Sequence, residues 1–308
     1  MLYILLFLLL IGAFIMGMTV LRAGLFQLSG DKLKKLLEQV TSNPFKALIT
    51  SVLVTATLHS SAAVMVITIG LISAGMLTFP KSIGIILGTN IGTTFTTEII
   101  TFDFNQILIP MAIIGAIFML FKDLKIKSTG SILFGMSAVF IAIRGFEFLS
   151  HPLTSMPFVE KILLFLNQSH FLSVIFGTIF TALIQSSTAM TGITMGFLSG
   201  RILNLDSGIA IMLGSNIGTC VTAFLAAVGA GHESKLCAYA HIWLNVVGVT
   251  IFFPLIGWLA SISSVAASSP DVQLAHSSLI FNVMSSLFVL PFAEHFGKWI
   301  LYVHGKKI

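Results

Sequence analysis

The sequence predicts an all-α, polytopic membrane protein built from two inverted-topology repeats with broken helices or re-entrant hairpins. Three observations predict it: an apolar, charge-poor composition, an internal duplication, and short interrupted apolar segments at matching places in the two halves. Of 308 residues, 56% are hydrophobic and 9% charged, and the mean hydropathy is +1.03. A soluble domain carries about 25% charged residues, so the polar surface of such a domain is missing. One crossing takes about 20 mostly apolar residues, and the apolar residues run in blocks of that order. A membrane β-barrel would alternate apolar and polar residues instead. The net charge of +5 reads as membrane orientation rather than nucleic-acid binding. Cys220 and Cys237 are the two cysteines, both in apolar stretches. They form neither a disulfide framework nor a zinc site and read as small packing residues.

Residues 1–21 are apolar, with no Lys or Arg before Arg22 and no small-residue cleavage site. They read as a retained first helix rather than a signal peptide. "DKLKKLLEQV", with Leu33, Leu36, Leu37 and Val40 on one face, reads as an interfacial helix. A shift of 126 residues then lays Ser60-Ser61 on Ser186-Ser187 and Gly88-Thr89-Asn90-Ile91-Gly92-Thr93 on Gly214-Ser215-Asn216-Ile217-Gly218-Thr219. Between Thr55–Thr97 and Thr181–Ala223 nineteen of 43 positions agree without a gap, where shared composition gives roughly a tenth. Upstream, Gly17-Met18-Thr19 resembles Gly135-Met136-Ser137, in the apolar stretch 128–149. The expected organisation is a first repeat over 1–125 (core 45–100), a second over 126–262 (core 171–229), and a C-terminal helix and tail over 263–308.

Basic residues orient the halves. Arg22, Lys32, Lys34, Lys35 and Lys46 precede the first core; Lys122, Lys125 and Lys127 follow it; Lys298, Lys306 and Lys307 lie near the C-terminus. With these clusters in the cytoplasm, the first core crosses an even number of times and 128–149 crosses once. The second core is then inverted relative to the first. The last helix, about 277–300, returns the C-terminus to the cytoplasm, and the N-terminus lies outside. Inverted repeats are typical of secondary transporters, with the site at their interface.

The apolar segments flanking each Ser-Ser pair, 45–58 and 62–79, then 171–184 and 189–200, are too short to span. Such pairs of short segments at matching places mark a binding site. A helix beginning at mid-membrane leaves about four amides unpaired, and these with the dipole attract an anion. Ser, Thr, Asn and Gln serve both an anion and a cation, and a hard cation such as Na⁺ takes oxygen ligands. A charge-poor, hydroxyl-rich site therefore suits an anion and small cations arriving together. Gly88/Gly92 and Gly214/Gly218 also fit small-xxx-small helix packing.

"QSST" with "GSNIGTCVTAFLAA", and "HSSA" with "GTNIGTTFTTEI" in the other copy, resemble the type II sodium/phosphate cotransporter family. Its marks are a duplicated QSSS-type motif and a G-[AST]-N-I-G-T motif. Asn245 and Asn282 each stand nine residues before a proline, Pro254 and Pro291, in stretches with the same likeness. The resemblance implies a multi-pass cell-membrane protein that takes up inorganic phosphate with Na⁺ by alternating access. Phosphate, Na⁺ and lipid are the implied partners, with Na⁺ as coupling ion and no other cofactor. It places Ser60, Ser61, Ser186, Ser187 and Asn216 at phosphate, and Gln185, Thr188, Thr219, Asn90 and Thr93 at sodium. Two departures stand out: His59 replaces Gln and Ala62 the third Ser. His59 thus invites a proton or pH role, against a neutral, hydrogen-bonded histidine.

Other classes fit these residues less well. An intramembrane phosphate-ester or pyrophosphate hydrolase would use His59-Ser60 as base and nucleophile, yet adjacent helical residues point apart. A sensor would need a signalling domain, and a channel would not tie anion to sodium. Arsenate, sulfate or a small carboxylate suits the same groups. Glu98 and Arg144, as intramembrane charges, are functional candidates, although Arg144 and Glu147 are spaced to pair. His241 and His276 read as helix caps or bridges.

Overall fold

A computed structural model describes residues 2–38, 43–102, 104 and 106–305. Val40 of the expected interfacial helix and Lys306 and Lys307 of the C-terminal cluster lie outside them. Among the described residues the chain is all-helical. The first half holds α1 (Leu2–Glu38), α2 (Pro44–Leu58), α3 (Ser61–Ser73), α4 (Phe79–Ile99) and α5 (Leu108–Met119). The second holds α6 (Leu124–Thr154), α7 (Pro157–Gln168), α8 (His170–Ile184), α9 (Ser187–Ser199), α10 (Leu205–Gly218), α11 (Cys220–Ala227) and α12 (His232–Phe252). The C-terminal part holds α13 (Ile256–Ala266), α14 (Pro270–Val289) and α15 (Ala293–His304).

By length and composition, five helical stretches suffice to cross a membrane: Leu2–Glu38, Leu124–Thr154, Leu205–Ala227, His232–Ala266 and Pro270–His304. The pair α7 and α8, bent by 120°, makes a sixth if it is one span. The protein is thus multi-pass. Its outer surface carries large apolar side chains such as Leu9, Ile109, Phe148 and Leu183, as a lipid-facing surface requires. Pro254 and Pro291 each fall in a 3₁₀ turn, Phe253–Leu255 and Leu290–Phe292, between two α-helices. Proline removes a donor and crowds the carbonyl four residues back, so the helix tightens there without ending the span.

The first helix differs from expectation. Residues 2–38 form one continuous helix, with no separate interfacial segment. Leu33 and Leu37 are buried while Leu36 is exposed. The N-terminal part of α1 packs along α6, and Leu33 and Leu37 near its C-terminal end join an apolar cluster with residues of α2, α3 and α4. A Cβ on Gly17 would lie 2.9 Å from the Gly135 carbonyl oxygen and from Ala138 Cβ, and one on Gly24 3.0 Å from Ser131 Cβ. Rising numbers on α1 meet falling numbers on α6, so the two helices run antiparallel. The triplets that resemble each other in sequence, at Gly17 and Gly135, meet at this crossing.

The remaining motif glycines also hold helices together. Gly88 packs on the Leu48 carbonyl and Gly92 on Thr55 Cβ, joining α4 to α2. Gly214 packs on the Val174 carbonyl and Gly218 on Thr181 Cβ, joining α10 to α8. Each contact maps on the other under the 126-residue shift. Lipid gives no hydrophobic gain for helix association, so close backbone approach and hydrogen bonds drive it. Ser51 Oγ donates to the Ile85 carbonyl at 2.8 Å, and Thr178 Oγ1 lies 3.0 Å from the Gly214 carbonyl oxygen.

At Gly135 a new Cβ would stand 2.5 Å from the Gly17 carbonyl oxygen and the Leu21 nitrogen. Gly135→Ala should therefore cost about 1–3 kcal/mol and lower the melting temperature of the purified protein in detergent. Gly12 has nothing within 4 Å of its Cβ position, and Gly12→Ala should stay within about 0.5 kcal/mol. Equal melting curves for the two variants would contradict the close crossing.

Candidate functional site

Both Ser-Ser pairs sit at breaks between two helices, and the breaks share one backbone form. His59 ends α2 in the left-handed region at φ 49°, and Gln185 ends α8 at φ 55°. Ser60 and Ser186 follow in extended conformation and cap the next helices. Ser60 Oγ accepts from the Ala63 N–H at 3.1 Å, and Ser186 Oγ from the Ala189 N–H at 3.2 Å. Left-handed backbone costs a side-chain-bearing residue on the order of 1–3 kcal/mol and persists where surrounding structure imposes it. Glycine would be cheaper at either turn; a ring and an amide stand there instead.

The two breaks open into one cleft. Its lining includes His59, Ser60, Ser61, Ala62 and Thr93 from the first half, and Gln185, Ser186, Ser187, Thr188, Thr219 and Thr222 from the second, with Arg22 beside them. The N-termini of α3 and α9 both begin at its wall. At each, the serine cap satisfies the third amide and the serine carbonyl accepts from the fourth. The amides of Ser61, Ala62, Ser187 and Thr188 are left for a ligand. The capping serines accept through their oxygens, which leaves their O–H groups free to donate. The C-terminal ends of α2 and α8 finish at the same breaks. One cleft thereby offers positive helix ends to an anion and negative ones to a cation. Its open space, about 20 Å³ for the centre of a water-sized sphere, is room for about one water.

Nine of the eleven expected site residues line this cleft: Ser60, Ser61, Ser186, Ser187, Gln185, Thr188, Thr219, Thr93 and His59. Asn90 and Asn216 are not among its lining residues. Asn90 is buried and donates from Nδ2 to Asn245 Oδ1 at 3.2 Å, joining α4 to α12. Asn216 donates from Nδ2 to the Met212 carbonyl of its own helix at 2.9 Å. Ala62 lines it as well, and Arg22 and Thr222 complete the lining without having been expected. Thr222 is the counterpart of Thr96 under the 126-residue shift, so the duplication could have found it. Arg22, assigned by charge alone to a cytoplasmic cluster, stands at the cleft instead. Its Nε donates to the His59 carbonyl at 2.9 Å.

His59 Nδ1 lies 3.0 Å from Thr96 Oγ1, so its ring is engaged with α4 through that nitrogen. Elsewhere, His276 Nδ1 and Glu98 Oε1 pair at 3.0 Å and bridge α14 to α4. Arg144 Nη1 donates to Glu147 Oε2 at 3.0 Å. His241 is buried, and its Nδ1 finds no partner among the described residues; it neither caps nor bridges through that atom. Cys220 and Cys237 are buried free thiols.

Paired broken helices around a polar cleft in a multi-pass membrane protein are a feature of membrane transporters. The chain belongs to the Na⁺/Pi-cotransporter family, whose model matches it twice, at residues 13–148 and 145–284. It is 38% identical over 287 residues, 93% of this chain and 94% of the relative, to the uncharacterized protein YqeW of Bacillus subtilis. It is 23% identical over 285 residues to YjbB of Escherichia coli, a protein named for inorganic phosphate export. That match covers 92% of this chain but 52% of YjbB, so the chain spans about half the length of that relative. Over 89 residues, 28% of this chain and 15% of the relative, it is 32% identical to sodium-dependent phosphate transport protein 2C of Rattus norvegicus. No solved structure matches the chain significantly.

Asn90→Ala would strand Asn245 Oδ1 without its donor. Burying an unpaired amide oxygen costs about 1–3 kcal/mol, so Asn90→Ala should lower the melting temperature. Adding Asn245→Ala should cost less than the sum of the two single effects, because neighbours sharing one bond are not additive. A double variant that loses the sum of both single effects would contradict the shared bond.

Proposed function

We propose that this chain carries inorganic phosphate across the cell membrane together with Na⁺, by alternating access around the cleft between the two helix breaks. One observation supports it above others: two helix N-termini, each with a Ser-Ser pair and unspent amides, face a single cleft. In this reading Ser60, Ser61, Ser186 and Ser187 and the neighbouring amides hold phosphate. Gln185, Thr188 and Thr219, by the negative end of α8, hold sodium, with Thr93 of the same cleft. Asn216, expected at phosphate, and Asn90, expected at sodium, support the site through their helices. The sodium charge offsets that of phosphate, and little protein charge is required. A cleft with room for one water is too tight for phosphate and must widen to load, which an alternating-access cycle supplies. The halves act as inverted units, with the N-terminus outside and the C-terminus cytoplasmic. Hydrolysis is disfavoured because, among the described residues, neither ring nitrogen of His59 is hydrogen-bonded to Ser60, whose Oγ caps α3.

Symport on an inward sodium gradient gives uptake. The name of YjbB favours a second reading, in which the same site serves export. Radiolabelled phosphate uptake into proteoliposomes, with and without an inward Na⁺ gradient, tests both. We expect uptake to rise at least about tenfold with the gradient, the effect of coupling worth about 1.4 kcal/mol. Equal uptake in both conditions would reject cotransport, and accumulation only against an outward gradient would favour export. Ser61→Ala or Ser187→Ala should each lower uptake by about tenfold or more, as loss of a hydrogen bond to a charged group predicts, while the protein stays monodisperse in detergent. Near-normal uptake by both variants would remove the serines from the site.

A further inference from the structure

We infer that Arg22 is an anion-binding residue of this cleft, supplying as a fixed charge what a sodium ion supplies at the other helix break. The inference rests on the phosphate reading above. The two halves differ at two cleft positions, and the two differences touch each other. His59 stands where the other half has Gln185. Arg22 has no counterpart: with Gly17 aligned on Gly135, its place falls on Phe140. Arg22 Nε donates to the His59 carbonyl at 2.9 Å. That carbonyl lies at the C-terminal end of α2, where the negative end of a helix dipole favours a cation. At the second break the Gln185 carbonyl accepts from no side chain among the described residues. One half thus carries its own cation, and the other leaves the position open to an ion.

The charge of Arg22 is also unspent. Among the described residues no carboxylate lies within 4 Å of it. A guanidinium has five N–H donors, and the Nε bond to His59 uses one. The remaining fork matches two oxygens of a tetrahedral anion. Arg22 is half-buried, and with Ser60 it lines a second, wider recess that continues past Phe26, Gln27 and Ala63. It therefore stands between recess and cleft, where an entering anion would meet its charge.

The test is equilibrium binding of radiolabelled inorganic phosphate to the purified full chain in detergent, across a sodium titration, for the unaltered protein, R22Q and R22K. We expect R22Q to bind phosphate at least about tenfold more weakly at saturating sodium, as loss of a charged hydrogen bond predicts. R22K, which keeps the charge, should recover most of that loss. The steepness of the sodium dependence should be unchanged in all three, because the open break is untouched. R22Q binding within twofold of the unaltered protein would overturn the inference, and so would R22K as impaired as R22Q. Failure of the unaltered protein to bind phosphate at all would instead overturn the phosphate reading, and this inference with it.

Discussion

A helix that stops inside a bilayer leaves amides and carbonyls that lipid cannot satisfy. This protein stops two of them, α2 and α8, and starts two more, α3 and α9, around the same cleft. The constraint explains the residues at the breaks. His59 and Gln185 turn the chain in left-handed backbone, and Ser60 and Ser186 each satisfy one amide of the helix that follows. The amides that remain can be satisfied by water or by a ligand, and the proposed phosphate site uses them. A site with a single charged side chain, Arg22, follows naturally, since helix ends supply partial charges of both signs around one cleft.

Holding such breaks in place requires close neighbours. The glycines of the repeated motif bring α4 against α2 and α10 against α8. Gly17 and Gly135 do the same for α1 and α6, which run antiparallel. These crossings leave little room for rotation of one helix on its partner, so movement is expected between such pairs rather than within them. The contact of Glu98 with His276 and the Asn90–Asn245 bond tie α4 to α14 and α12. They support the broken helices without entering the cleft.

Much of this was legible in the sequence for a physical reason. Duplication turns weak motifs into paired ones, and the paired serines and threonines arrived at the cleft as expected. The break positions were legible from length alone, since 45–58 and 171–184 cannot span. Other features were hidden. Asn90 and Asn216 share the motif with Thr93 and Thr219 and lie about one helical turn from them, yet their amides are taken by Asn245 and by the Met212 carbonyl, partners that no motif spacing records. Arg22 carried the signal of a membrane-edge cation because charge counting ignores depth along a 37-residue helix. Around Gly17 and Gly24 that helix lies against α6, and beyond Gly30 its Leu33 and Leu37 join the apolar cluster of α2, α3 and α4, contacts that no local pattern records.

The central claim is that the two Ser-Ser breaks, 126 positions apart in the chain, wall one cleft. It is tested by placing Ser61→Cys and Ser187→Cys together in a chain whose Cys220 and Cys237 are replaced by alanine. Treatment with a short bifunctional thiol reagent should join the two peptides, as read by mass spectrometry after proteolysis, and phosphate with Na⁺ should slow the joining. Two thiols that react singly and are never joined would contradict a shared cleft.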